Sequence, residues 1–202
     1  MGRRVSRIGL LGGTFDPPHL GHLWLAETAR EQLALDSVLF LPAGRPPHKA
    51  DRPVTAATHR LQMTRLAIQG TPAFSLDSSD VNRPGPHHTV SLLPLIQAQR
   101  PQAELYLLMG SDSLRDFPAW REPAAILRQC RLAVLPRPGV ALDWAKLETA
   151  VPRLRANTIL LDGPAVSLSA AEIRRWIRAG HTAETLTGAA VWQYICQRGL
   201  YR

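Results

Sequence analysis

The sequence predicts a single-domain α/β protein built on one parallel, doubly wound sheet. Two observations carry this expectation. Short apolar runs alternate with segments of helical period from one end of the 202-residue chain to the other, which is the pattern of parallel strands joined by crossover helices. No linker-like stretch, repeat or low-complexity tract divides the chain, so residues 1–202 are read as one domain, long enough to bury a good core.

Composition narrows the possible functions. Hydrophobic residues make up 45% and charged residues 20%, as in a water-soluble globular protein. No apolar run approaches the ~20 residues that span a bilayer. Met1-Gly2-Arg3-Arg4 leads straight into a strand and not into a signal-peptide core, so the expectation is a cytoplasmic protein with no membrane partner. Cys130 and Cys196 have no metal-ligand spacing and read as packed thiols. Lys and Arg number 24 against 16 Asp and Glu, a formal charge of +8. The basic residues are scattered, and all but Lys49 and Lys146 are arginines, with no basic block interleaved with aromatics. That distribution favours small phosphate-bearing molecules over nucleic acid.

The first element is a strand around Val5, Ile8, Leu10 and Leu11, after which Gly12 and Gly13 are read as the residues that turn the backbone sharply and let it approach a ligand. Pro17 and Pro18 hold back the next helix. His19 and His22 therefore fall on its first turn and face the same side. A helix N-terminus offers N–H groups and a positive dipole end to an anion, and each imidazole adds a donor without needing a metal. Taken singly, a Gly-Gly turn and a capping histidine are ordinary. Their order, strand, Gly-Gly, Thr, Pro-Pro, His-x-x-His, points to a nucleoside triphosphate site. It has neither the Gly-Lys-Ser/Thr ending of a P-loop nor the Gly-x-Gly-x-x-Gly spacing of a dinucleotide fingerprint.

The helix is expected to run to about residue 35 with Leu20, Leu23, Ala26, Ala29 and Leu33 on its apolar side. A strand over 37–41 leads into a stiff loop, Pro42 to Lys49, whose lysine is a candidate ligand contact or part of a plain connection. Residues 55–70 read as a helix stopped by Gly70, and 74–77 as a short strand. Residues 77–88 are polar and turn-rich and are expected to form a surface loop before a helix at Thr89. The Thr89 hydroxyl suits either a cap or a ligand.

A strand over 104–109 ends in Gly110-Ser111-Asp112, where the carboxylate caps the next helix or accepts from ribose hydroxyls. Trp120 offers a flat face to an aromatic ring or belongs to the core. A strand over 130–135 closes at Pro136-Arg137-Pro138-Gly139, residues 140–155 read as helix and loop without chemistry, and 158–161 form the last strand. Ser169 and Glu172 have capping-box spacing, so a helix starts there. Its N-terminus with Arg174 is a second phosphate site or an ordinary capped amphipathic helix. The final helix is expected from 187 or 188 to 197.

The complete HLGH at 19–22 resembles the HxGH signature of the nucleotidyltransferase superfamily. Along the whole length the chain is similar to the bacterial nicotinate-nucleotide adenylyltransferases: at GGTFDPPHLGH, LPAGRPPHK, HRLQM, GSDSLRDFPAWRE, RPG, LSAAEIR and VWQYICQRGLYR. The resemblance implies a Rossmann-like fold and the reaction of nicotinate mononucleotide with ATP to give deamido-NAD and pyrophosphate. It implies Mg2+ carried by the ATP phosphates, with no metal held by the protein, and a monomer or weak homo-oligomer. Carried over by position, Gly12, Gly13, Thr14 and Phe15 line the nucleotide pocket, and His19 and His22 meet the ATP phosphates. Gly110 and Asp112 lie on the adenosine side, and Ser169, Ile173 and Arg174 form the second phosphate loop. Asp16, Lys49, Thr89, Trp120 and Arg137 serve the nicotinate nucleotide. The nucleophile is the substrate's own phosphate, so His19, His22, Lys49 and Arg174 are expected to act as cationic donors that position and stabilise charge.

Two departures bear on particular contacts. Ala170 and Ala171 stand where relatives usually carry serine or threonine, and Pro86-His87-His88-Thr89 replaces a Ser-Tyr-Thr pattern on the nicotinate side. The alternatives are transfer to nicotinamide mononucleotide or to phosphopantetheine. A different class would be a nucleotide- or RNA-binding module without catalysis.

Overall fold

The computed structural model describes residues 5–45, 54–164 and 166–202. Six strands form one sheet: β1 (Arg7–Gly13), β2 (Ser37–Pro42), β3 (Phe74–Leu76), β4 (Glu104–Gly110), β5 (Arg131–Leu135) and β6 (Thr158–Leu160). Their spatial order is β3-β2-β1-β4-β5-β6, and every neighbouring pair is parallel. The expected doubly wound α/β sheet is therefore present, with its topological switch point between β1 and β4.

Strands buried on both faces read as continuous apolar runs, because alternate side chains feed opposite cores. On one face Leu10, Leu39, Leu41, Leu107 and Met109 pack with α4 (Thr89–Gln99) through Leu92, Leu93 and Ile96. On the other, Leu11, Val38, Phe40 and Leu108 pack with α1 (Leu20–Gln32) through Leu25, Ala26 and Ala29. A third cluster joins Met63 of α2 (Ala57–Ile68) to Ile173 and Ile177 of α8 (Ala170–Arg178) and to Val191 and Ile195 of α10 (Ala189–Gln197). This cluster packs the C-terminal helices against α2.

Several local expectations are corrected. The backbone does not turn at the glycines: β1 continues through Gly12 and Gly13, and the left-handed residue is Phe15, at φ 51°, followed by a cis Asp16–Pro17 bond. Gly13 is required by close approach, since a Cβ there would lie 3.0 Å from Cζ of the Phe15 ring. The inward stripe of α1 is Leu25, Ala26, Thr28 and Ala29, whereas Leu20 is 49% exposed. Of the expected apolar side, Ala26 and Ala29 are buried and Leu23 and Leu33 pack against the same cluster, so Leu20 alone departs, at the N-terminal end of the helix.

The polar stretch after β3 is not a plain surface loop. It contains α3 (Ser79–Asn82), whose Asp80 is buried. Between β4 and β5 lie α5 (Ser111–Asp116) and α6 (Pro123–Leu127). Residues 140–155 include α7 (Trp144–Ala150), capped by the Asp143 side chain accepting from the Lys146 N–H at 3.1 Å. The final helix is as expected, α10 ending at Gln197 with Gly188 at its N-cap, and a short α9 (Glu184–Thr187) precedes it. Cys130 is buried, which pushes its thiol up to about 12, as befits a packed, inert sulfur. No helix among the described residues is long and apolar enough to cross a membrane.

Candidate active site

A cavity of about 350 Å³ opens at the carboxyl ends of the strands, at the β1/β4 switch point. Gly12, Gly13 and Thr14 line it from the end of β1, Leu41 and Ala43 from β2, Met109 and Gly110 from β4, and Arg137 from beyond β5. His22, Thr89 and Trp120 complete the wall from the helices and their approaches. This is the volume range of small-molecule sites.

His19 is the N-cap of α1 and His22 its third residue. Their ring centroids are 3.8 Å apart. The His19 backbone N–H donates to Nδ1 of His22 at 3.2 Å, so Nδ1 is an acceptor and the ring's one N–H sits on Nε2. Phe15, buried, sets its ring edge-on to His22 at 4.8 Å. His19 lies behind the cavity wall at 2% exposure. Burial, and secondarily the Arg137 guanidinium, lower its pKa to about 4. The expectation that His19 acts as a cationic donor is thereby corrected: burial holds it as a neutral ring, while His22 presents its Nε2 edge from the cavity wall.

Arg137 was expected beside the nicotinate nucleotide. It lines the same cavity as Thr89 and Trp120, its backbone N–H donates to Ser111 Oγ at 2.9 Å, and its guanidinium also pairs at 3.2 Å with Asp112, a residue expected on the adenosine side. Thr89 is the first residue of α4, with His88 at the N-cap, so its hydroxyl is not the cap. Trp120 packs its ring against Phe117, 5.4 Å between centroids, and presents another part to the cavity.

The C-terminal half of the expected clamp is recognisable but differently employed. Ser169 caps α8 and forms the full capping box with Glu172. The side chain of Ile173, expected near ATP, is buried in the helix cluster instead. Arg174 donates to the Asp16 carbonyl at 2.6 Å. Asp16 was expected to touch substrate. It is 3% exposed, and its carboxylate accepts from the Tyr201 hydroxyl at 2.6 Å and from the Thr55 N–H at 3.3 Å, so it faces protein and not ligand. Lys49 lies outside the described residues.

Three functional supports escape sequence reasoning. Arg60, 2% exposed, donates to the carbonyls of Thr14, Ala43, Gly44 and Thr55, tying the loops after β1 and β2 to the start of α2. Burial lowers its pKa, partly offset by Asp16. Asp80 accepts from the Gly44 N–H at 3.0 Å and from Arg83 at 2.7 Å. Arg83 in turn donates to the His88 and Pro86 carbonyls, so it staples the loop that precedes Thr89. The only sequence signal for Arg60 was its place in HRLQM.

The strand order, with a close histidine pair at a helix N-terminus on the switch point, defines a nucleotidyltransferase-type α/β protein. A family profile described as cytidylyltransferase-like matches residues 10–176. A protein of Thermomicrobium roseum named "Probable nicotinate-nucleotide adenylyltransferase" is 46% identical over 198 residues, 98% of this chain and 92% of the relative. One of the same name from a Roseiflexus species is 43% identical over 96% and 98%. The solved Plasmodium falciparum nicotinic acid mononucleotide adenylyltransferase complexed with NaAD superimposes with a TM-score of 0.78 over 97% of both chains at 18% identity, a likeness of fold. The chain belongs to the cytidylyltransferase-like family and, within it, to the nicotinate-nucleotide adenylyltransferases.

Proposed function

We propose that the protein transfers AMP from ATP to nicotinate mononucleotide, giving deamido-NAD and pyrophosphate. The observation that carries this is the His22 ring on the cavity wall beside Gly12–Thr14, at the N-terminus of α1, in a chain that matches relatives of that name along its whole length. An oxygen of the acceptor's phosphate attacks the α-phosphorus of ATP as the bond to the β-phosphate oxygen breaks, and pyrophosphate leaves with that electron pair. The attacking phosphate is already anionic, so the protein's part is to position the reactants and to stabilise charge. The α1 N–H groups and the Nε2–H of His22 supply fixed dipoles. Arg137 and Arg174, with Lys49, supply charge.

Mg2+ is read as part of the substrate, carried on the ATP phosphates. The carboxylate that lines the cavity supports this: Asp80 is paired with the Arg83 guanidinium and accepts from the Gly44 N–H. The natural setting proposed is the cytoplasm, with ATP and nicotinate mononucleotide as partners and no nucleic acid or membrane. Pyrophosphate release measured with ATP and, in turn, nicotinate mononucleotide, nicotinamide mononucleotide and phosphopantetheine tests the assignment. The acid mononucleotide is expected to give the highest kcat/KM. A higher value with the amide would overturn the acceptor, and activity only with phosphopantetheine would overturn the reaction.

A further inference from the structure

Asp16 joins two parts of the chain that lie far apart in sequence. Its Oδ1 accepts from the Tyr201 hydroxyl at 2.6 Å, across 185 positions. Its Oδ2 accepts from the Thr55 N–H and lies 3.9 Å from Nη1 of Arg174, and that same nitrogen donates to the Asp16 carbonyl. The hydrogen bond and the ion pair of Arg174 therefore both go to Asp16. A carboxylate at 3% exposure needs such partners, because an unpaired buried charge is costly. Burial and the Asp16 charge raise the Tyr201 pKa, so its hydroxyl stays protonated and donates throughout the neutral range. The Tyr201 ring packs on the cluster formed by α2, α8 and α10, so the donor arrives on a fixed platform.

We propose that Tyr201 is a positioning residue: through Asp16 its hydroxyl holds the Arg174 guanidinium against the loop that leads into His19 and His22 at the start of α1, and so sets how strongly the site binds phosphate. The proposal rests on the reading of this site as a phosphate site. Arg174 has five N–H donors in a planar fork, and only Nη1 is engaged by Asp16. The orientation of the rest is fixed by that single anchorage. Asp16 in turn keeps its place because three donors converge on it from different elements.

The test uses the complete chain and two probes, inorganic pyrophosphate and adenosine, titrated by calorimetry. Tyr201→Phe removes the hydroxyl and leaves the ring. Its Kd for pyrophosphate is expected to rise about fivefold or more, the worth of one hydrogen bond to a charged group, while its Kd for adenosine stays as in the unaltered protein. A second variant, Asp16→Asn, is expected to weaken pyrophosphate binding as well, and adding Tyr201→Phe to it should cause little further loss, as coupled residues behave. Unchanged pyrophosphate binding in Tyr201→Phe would overturn the proposal. So would an equal weakening of both probes, or losses that simply multiply in the double variant. Turnover of ATP and nicotinate mononucleotide by the unaltered protein is scored separately. Its absence would remove the proposed reaction, while the pyrophosphate comparison would still decide the role of Tyr201.

Discussion

The backbone N–H of His19 donates to Nδ1 of His22, so the residue that caps α1 also fixes the tautomer of the residue that faces the cavity. The donor left to the substrate is then Nε2–H, pre-oriented by the helix start and by the edge of the Phe15 ring. His22→Ala removes that donor without touching the core. We expect kcat to fall by roughly 10²–10³, the usual consequence of deleting one pre-organised donor to developing charge, with circular dichroism and melting temperature retained. Turnover near that of the unaltered protein would remove His22 from the mechanism.

The buried His19 makes a prediction about pH. Its pKa is about 4 in the folded protein against an ordinary 6.5. Above pH 6.5 the ring is neutral in both folded and unfolded chains, and its contribution to stability is fully present. Between these values the unfolded chain takes up a proton that the folded one refuses, so stability falls as pH drops and levels off below about 4. The loss from this residue alone is about 3 kcal/mol. Urea unfolding at pH 7 and pH 4.5 checks it: His19→Asn is expected to lose visibly less stability over that interval than the unaltered protein. Equal losses would assign the acid sensitivity to other groups.

Arg60 is expected to matter for stability more than a single polar side chain usually does, because it holds the carbonyls of four residues, two of which line the cavity. Arg60→Met would strand the Thr14, Ala43, Gly44 and Thr55 carbonyls that it now satisfies. We expect a cost of about 3–5 kcal/mol, or about 10 °C in Tm for a chain of this length. Lysine is not a rescue, because an ammonium cannot reach several carbonyls in the plane of a guanidinium fork. A thermal shift of a degree or two would show that water replaces the network.

These residues show where the sequence was legible and where it was not. The sheet could be read because its strands are buried on both faces and therefore spell continuous apolar runs, as in β4, Glu104–Gly110. The histidine pair could be read because its spacing is local, and the Ser169–Glu172 cap for the same reason. Asp16, Asp80 and Arg60 could not. Asp80 and Arg60 look like surface charges in sequence and Asp16 like a ligand contact, yet each is buried because its partner lies elsewhere: Tyr201 for Asp16, Gly44 for Asp80, Ala43 for Arg60. Local pattern carries no trace of such pairings. The apolar side of α1 was legible for the same local reason as the histidine pair, with Ala26 and Ala29 buried and Leu23 and Leu33 packed beside them, and only Leu20, at the helix start, is exposed.

Arg83 predicts a split between the two substrates. It pairs with Asp80, accepts no role at the adenosine side, and donates to the Pro86 and His88 carbonyls and to Ser91 Oγ at 2.9 Å. Arg83→Ala should therefore loosen the segment leading to Thr89 while leaving β1 and α1 in place. We expect KM for the acceptor nucleotide to rise about tenfold, the equivalent of about one lost hydrogen bond to a charged group, with KM for ATP unchanged. Parallel increases in both constants would mean that the loop serves the whole cavity.

Gly21 sets two effects against each other. It lies in the first turn of α1, where alanine would raise helix propensity by at most about 1 kcal/mol. A Cβ at this position, however, would stand 3.2 Å from Nδ1 and 3.3 Å from Cε1 of His19, and 3.8 Å from Cβ of Leu168. The His19 ring is buried and cannot swing into solvent, so it must shift by a few tenths of an ångström and carry the backbone donor to His22 with it. The propensity gain and the packing strain are of similar size and should nearly cancel in Tm. Catalysis has no such compensation, because its donors must be held to within about 0.5 Å. We therefore expect Gly21→Ala to melt within about 3 °C of the unaltered protein, a shift of about 1 kcal/mol, yet to lose about tenfold in kcat, one misplaced donor. Full activity in this variant would mean that the histidine pair tolerates displacement, and the glycine in HLGH would then need another explanation.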